Sequence, residues 1–147
     1  MKDKYQSLKL ENQLCFPLYA CSKEIVRRYK PYLDEIDLTY TQYITMMAMW
    51  EHKSLTVKEL GQLLYLDSGT LTPVLKKLEK KGFIERRRSE DDERSLDVSL
   101  TKKGETLRDR ALKVPEQMAS CINLEPDEAL NLYKSLNKIM HNNEGER

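Results

Sequence analysis

The stretch Leu66-Asp67-Ser68-Gly69-Thr70-Leu71-Thr72-Pro73-Val74-Leu75-Lys76-Lys77-Leu78 decides how the rest of this 147-residue chain is read. Leu71, Leu75 and Leu78 recur at i, i+4 and i+7 with Val74 beside them, so the spacing predicts a helix with one buried side. Ser68, Thr70, Thr72, Lys76 and Lys77 point elsewhere. Asp67 or Ser68 can accept a backbone N–H as N-cap, and Gly69 leaves the helix start bare enough for a partner's backbone to come close. Pro73 lies near the first turn, where a missing N–H costs less than in a helix interior. A hydroxyl-rich tip followed by lysines suits a helix that enters a DNA groove tip first and touches phosphates further along. An ordinary surface helix would carry the same pattern, so the flanking segments have to decide.

Upstream, Thr56-Val57-Lys58-Glu59-Leu60-Gly61-Gln62-Leu63-Leu64 opens with capping-box spacing at Thr56 and Glu59 and turns its leucines inward. It reads as a short scaffold helix, and the pair has the order of a helix-turn-helix. Another box, Thr39 and Gln42, starts a helix whose apolar face continues through Tyr43, Ile44, Met47 and Trp50. Before it, a first helix is expected from about Leu8 to Arg28, with Leu14, Leu18, Cys21 and Ile25 as its stripe. Pro17 should kink or weaken it, and Tyr29-Lys30-Pro31-Tyr32 should end or redirect it.

Downstream, Gly82 stops the helix and the period changes. Phe83 to Arg87 reads as a strand, Ser89 to Glu93 as a charged tip, and Leu96, Val98 and Leu100 alternate with Asp97 and Ser99 as the returning strand. An isolated charged hairpin is usually a plain edge ribbon. Placed directly after a candidate recognition helix, with Arg86, Arg88 and Arg94 beside it, it reads as the wing of a winged helix. Thr101 caps a long helix toward Cys121, disturbed at Pro115, and Glu125-Pro126-Asp127-Glu128 starts a last one with an apolar stripe of Leu132, Leu136, Ile139 and Met140. The tail Asn142 to Arg147 is expected to fray.

The fold class is therefore mainly α with a small β-hairpin wing, in one domain over residues 1–147. A DNA-binding core is expected at about 39–100. The helices at about 5–35 and 101–141 carry apolar faces that a symmetric homodimer would bury, and two-fold DNA readers need such a dimer.

Bulk properties narrow the classes. The formal net charge is +1, so any nucleic-acid reading rests on a local patch. From Lys76 to Arg88 seven basic residues face only Glu79 and Glu85, a local balance of +5. Acid follows at once in Glu90, Asp91, Asp92 and Glu93. No apolar run approaches a membrane span, and Met1-Lys2-Asp3-Lys4 precedes no signal-peptide core, so a cytoplasmic protein without a membrane role is expected. Three cysteines, Cys15, Cys21 and Cys121, cannot all pair within one chain and form no CxxC. His52 and His141 are far apart, so no metal and no cofactor is expected.

Three of these segments carry a resemblance. Leu66 to Pro73, then Arg86-Arg87-Arg88-Ser89-Glu90-Asp91-Asp92-Glu93-Arg94, and Leu100-Thr101-Lys102-Lys103-Gly104 strongly resemble the MarR family of winged-helix repressors. Leu14-Cys15-Phe16, Tyr29 and Tyr40 resemble its organic-hydroperoxide-sensing (OhrR-type) branch and staphylococcal-type thiol-based relatives.

The resemblance implies a non-enzymatic dimeric repressor of a pseudopalindromic operator in double-stranded DNA. Cys15 would be its reactive thiol. Tyr29 and Tyr40 would donate hydrogen bonds to the thiolate, and Tyr19 would approach from the partner subunit. Organic hydroperoxide, the signal, would convert the thiolate to a sulfenic acid. Family members either wait for a small-molecule thiol or close a disulfide to the other subunit. Cys121 lies where the second form keeps its resolving cysteine. Cys21 is read as core; Pro17 and Cys21 both depart from the commoner family residues of this helix, an aliphatic and a serine. For DNA, the resemblance implies base-edge contacts from Ser68, Gly69, Thr70, Thr72 and Pro73, and phosphate contacts from Lys76 and Lys77. Arg94 would reach the minor groove, oriented by Asp92, while Arg86 and Arg88 add charge to the wing.

Other readings stay open. Release by a small aromatic ligand would replace thiol oxidation within the same fold. A thiol peroxidase would need a peroxidase motif, which Cys15 lacks. A winged-helix protein-interaction module would bind without the salt dependence of phosphate neutralisation.

Overall fold

A computed structural model describes residues 3–141, so the expected fraying of Asn142–Arg147 lies outside the described residues. Two 3-10 turns, Gln6–Leu8 and Leu10–Asn12, lead into helix α1, Cys15–Asp34. This corrects the expected first helix at both ends. Pro17 is the third residue of α1, where no helical N–H is required, so it does not interrupt the helix. Pro31 lies inside α1, which continues to Asp34 instead of ending at Tyr29–Tyr32. Leu33, Ile36 and Leu38 explain why: all three are buried. Burial at about 1.5–3 kcal/mol per side chain outweighs the ~3 kcal/mol an internal proline costs.

Helix α2, Tyr40–His52, starts at the expected reciprocal box: Thr39 Oγ accepts from the Gln42 amide, and Gln42 Oε1 accepts from the Thr39 amide. Tyr43, Met46, Met49 and Trp50 are buried, whereas Met47, expected on that face, points outward. Strand β1, Ser54–Thr56, escapes sequence reading because three residues are too short to alternate. Helix α3, Val57–Leu64, follows with Thr56 as its cap, and helix α4, Ser68–Lys80, with Asp67 as its cap. Leu71, Leu75 and Leu78 of α4 are buried, as their spacing requires.

Gly82 ends this region with φ +84°, a left-handed conformation that glycine adopts without strain. The Phe83 amide reaches back to the Leu78 carbonyl at 3.1 Å, and the chain turns into β2, Ile84–Arg88. Strand β3, Leu96–Leu100, returns antiparallel and pairs on its other side with β1, giving the order β1-β3-β2. Leu55 of β1 and Arg86 of β2 both stand opposite Val98, whose side chain is buried. With α2, α3 and α4 this is a winged helix-turn-helix.

Thr101 caps helix α5, Lys102–Ala111, through the Gly104 amide. A short gap at Leu112 separates α5 from α6, Lys113–Ala119. Leu112 keeps right-handed helical torsions, so the interruption is in the hydrogen-bond ladder, where Pro115 has no N–H to offer Ala111. The hydrophobic core runs from Leu33 through α2, α3, α4 and the sheet to Leu107, Ala111 and Val114. Its tightest junction is Gly104: the buried Trp50 indole donates to its carbonyl at 2.8 Å, and a Cβ there would lie 2.1 Å from the Phe83 carbonyl oxygen.

Helix α7, Pro126–His141, contrasts with this core. None of its residues is buried, and Leu130, Leu132, Tyr133, Ile139 and Met140 are exposed. The segment before α1 is similar, with Tyr5, Leu8, Leu10 and Leu14 exposed.

Candidate sensor and nucleic-acid interface

Cys15 is the first residue of α1 and is exposed. The first backbone N–H groups of the helix, which have no partner within it, lie beside the thiol. Tyr19 follows one turn later on the same helix and is also exposed. Tyr29 and Tyr40 lie elsewhere. Fourteen residues separate Tyr29 from Cys15 along one continuous helix, about 21 Å of rise, so the two cannot touch within one chain. The half-buried Tyr29 and Tyr40 instead pack with the buried Tyr43, with ring centroids 4.9 Å apart for Tyr29 and Tyr40 and 5.8 Å for Tyr29 and Tyr43. Burial, joined at Tyr29 by the neighbouring Tyr40, raises the phenol pKa values of Tyr29 and Tyr40, so both keep their protons as donors. Within one chain, Tyr19 is therefore the tyrosine near Cys15, whereas Tyr29 and Tyr40 are out of its reach.

Cys21, expected in the core, is exposed on α1. Six residues of helix put it about 9 Å along the axis from Cys15, beyond the ~7 Å that a disulfide spans between Cα atoms. Cys121 sits in the turn after α6 and is partly exposed. Its thiol is 3.2 Å from the Tyr32 hydroxyl, and its carbonyl accepts from Arg28 at 3.1 Å. Sequence reading missed Tyr32 because the helix was expected to stop there. Among the described residues no group of three His, Cys, Asp or Glu side chains converges to hold a metal ion.

The second functional surface is the α4 tip with the wing. Asp67 accepts the Thr70 amide at 2.7 Å, a bond that holds its carboxyl below the ordinary range and fixes the tip. Ser68, Gly69, Thr70 and Pro73 are exposed there, with Lys76 and Lys77 on the same helix further along. Thr72 is less free, because its hydroxyl donates to the Ser68 carbonyl at 2.7 Å.

In the wing loop, Asp92 accepts the Arg94 backbone amide at 3.0 Å, so it orients Arg94 through the main chain. Arg88 and Arg94 are exposed. Arg86 departs from its expected role. Its guanidinium is tied to the Glu79 carboxylate at 3.1 Å and its side chain is only 20% exposed, so it braces the wing against α4. A groove of about 1110 Å³ runs between helix-turn-helix and wing, lined on its polar side by Lys58, Gln62, Ser68, Thr72, Asp92 and Arg94. Lys58 and Gln62 had no sequence signal beyond lying on the outer face of α3.

The family model described as "Transcriptional regulator SarA/Rot" matches residues 27–111. The organic hydroperoxide resistance transcriptional regulator of Bacillus subtilis is 54% identical over 115 residues, 78% of either chain. The chain belongs to the MarR family, in its OhrR-type branch. A second relative of this MarR-family chain, the HTH-type transcriptional regulator SarZ of Staphylococcus saprophyticus, is 46% identical over 90% of each protein. Among solved structures, reduced AbfR bound to DNA superposes with a TM-score of 0.77 at 34% identity, over 95% of this chain and 98% of that one. AbfR, a Staphylococcus epidermidis protein, is also known in a disulfide-formed state, which matches less well, with a TM-score of 0.64 over 93% of this chain and 96% of that one.

Proposed function

We propose that this MarR-family chain is a homodimeric, redox-sensing repressor, not an enzyme, that binds operator DNA while Cys15 is reduced and releases it when organic hydroperoxide oxidises Cys15. The reading rests on the 54% identity to a regulator named for organic hydroperoxide resistance, in a chain that presents Cys15 on an open helix start. A regulator of this kind works in the reducing cytoplasm, where resting thiols stay unpaired.

Each sensor combines two subunits. Cys15 and Tyr19 come from one, and the partner's Tyr29 and Tyr40 supply the hydroxyl donors. The exposed apolar side chains of α7 and of the segment before α1 form the dimer interface that brings them together. The thiolate attacks the peroxide O–O bond: an S–O bond forms, the O–O bond breaks, and the alkoxide leaves to become an alcohol. The sulfenic acid is then captured by the partner's Cys121. An intrachain bridge is out of reach, because Cys121 is docked on Tyr32, seventeen helical residues and about 25 Å from its own Cys15.

On DNA, the Ser68–Pro73 tip reads base edges, Lys76 and Lys77 neutralise phosphates, and Arg94 enters the minor groove. A new covalent link between subunits changes the separation of the two α4 helices, and half-sites one helical turn apart tolerate little change. The test is a mobility-shift titration on the chain's own upstream DNA with and without cumene hydroperoxide. The reduced protein should bind and the treated protein should not. Release of Cys15→Ser by peroxide would show that Cys15 is not the sensor.

A further inference from the structure

Two side chains from one face of α1 hold residue 121. Arg28 and Tyr32 are four residues apart and therefore neighbours on the helix surface. Arg28 fixes the Cys121 backbone through its carbonyl, and Tyr32 meets the thiol itself at 3.2 Å. Residue 121 is thus held at both main chain and side chain, although it lies in a turn outside any helix.

The place where it is held matters as much. Tyr29 precedes Tyr32 by three residues, which puts their Cβ atoms about 5–6 Å apart on α1. Tyr29 in turn packs against Tyr40. Cys121 is therefore docked one turn beyond the tyrosine pair that receives the partner's Cys15. A chain without the Tyr32 hydroxyl would keep the turn but lose the contact that directs the sulfur.

From this geometry we infer that Tyr32 is a positioning residue for the resolving step: its hydroxyl holds the Cys121 sulfur for attack on the partner's oxidised Cys15. The inference rests on the reading of Cys121 as resolving cysteine given above. In the step, the Cys121 thiolate attacks the sulfenic sulfur, the S–S bond forms and the S–O bond breaks. The hydroxide that leaves takes up a proton from solvent as water. The sulfenic sulfur is reduced as the Cys121 sulfur is oxidised, so no other reductant enters.

The Tyr32 hydroxyl and the Cys121 thiol share one hydrogen bond. The hydrogen bond to Cys121, followed by the charge of a Cys121 thiolate, raises the phenol pKa and keeps the proton on oxygen.

The experiment uses the full-length dimer in a Cys21→Ser background, oxidised with one equivalent of cumene hydroperoxide and quenched at intervals. Non-reducing electrophoresis follows the interchain crosslink, and a dimedone-type probe follows sulfenic acid. Tyr32→Phe keeps the ring. It should form sulfenic acid at the parent rate and close the crosslink about tenfold more slowly. The pH profile of closure should also change, because the hydroxyl that meets the sulfur is gone while the ring that packs there remains. Tyr32→Phe with unchanged closure rate and pH profile overturns the role of Tyr32 and leaves Cys121 as resolver. A parent-rate crosslink in Cys121→Ser overturns both. Operator binding by the reduced Tyr32→Phe protein, measured in parallel, establishes that it is folded.

Discussion

Glu79 in the recognition helix accepts three hydrogen bonds from Arg86 of the wing, one from its backbone amide at 2.8 Å and two from its guanidinium at 3.1 and 3.3 Å. Helix and wing are thus joined as one rigid reader rather than two independent arms. The backbone bond, then the side-chain bond, lower the Glu79 pKa.

That contact sets a first prediction. A carboxyl whose folded pKa is lowered contributes stability above the ordinary glutamate value near 4.5 and loses it as pH falls further. Glu79 is 38% exposed, so solvent screening limits the pair to under about 1 kcal/mol. Glu79→Gln should therefore leave denaturant unfolding nearly unchanged at pH 7 yet weaken operator binding several-fold, as read by fluorescence anisotropy. Unchanged affinity would mean that the wing does not need the brace.

Arg94 should behave differently from Arg86. Arg94→Ala removes an exposed guanidinium, so affinity should fall about tenfold and the slope of log affinity against log salt should shrink by about one. Arg86→Ala should lower affinity through wing position, with a salt slope close to that of the parent. Equal slopes for all three proteins would remove Arg94 from the interface.

The bare apolar side of α7 predicts its own test. Leu132 and Ile139 are 46% and 48% exposed in the single chain. Placing Glu at both positions should give a monomer by sedimentation, with operator binding lost. A double variant that stays dimeric would move the interface elsewhere.

Gly104→Ala should be among the most damaging small changes. The added Cβ would press on the Phe83 carbonyl at 2.1 Å, and the same peptide holds the Trp50 indole. A loss of about 2–4 kcal/mol in urea unfolding is expected, in the range for overpacking plus a disturbed buried hydrogen bond.

Much of this molecule was legible in its sequence, and the reasons can be named. Leu71, Leu75 and Leu78 carry a strong helical period, Thr39, Thr56 and Thr101 stand at caps with their partners three residues on, and Gly82 marks a turn that requires it. Local rules failed where distant burial intervened. Pro31 argued for a helix end, but Leu33 and Ile36 beyond it had a core to fill, and α1 ran on. Ending that helix early hid Tyr32 and its contact with Cys121. Arg86 looked free because it opens the run Arg86-Arg87-Arg88, while its partner Glu79 lies across the Gly82 turn. Cys21 fitted an apolar stripe on spacing alone and proved to face outward.

The unbroken run of α1 from Cys15 to Tyr32 has a genetic consequence. The Cys15 of a subunit cannot meet that subunit's Tyr29 and Tyr40, so defects in the two halves of the sensor should complement one another. Cys15→Ser homodimers and Tyr29→Phe/Tyr40→Phe homodimers should each respond poorly to peroxide. Mixed in one cell, they should form heterodimers with one complete sensor, and inducibility should partly return.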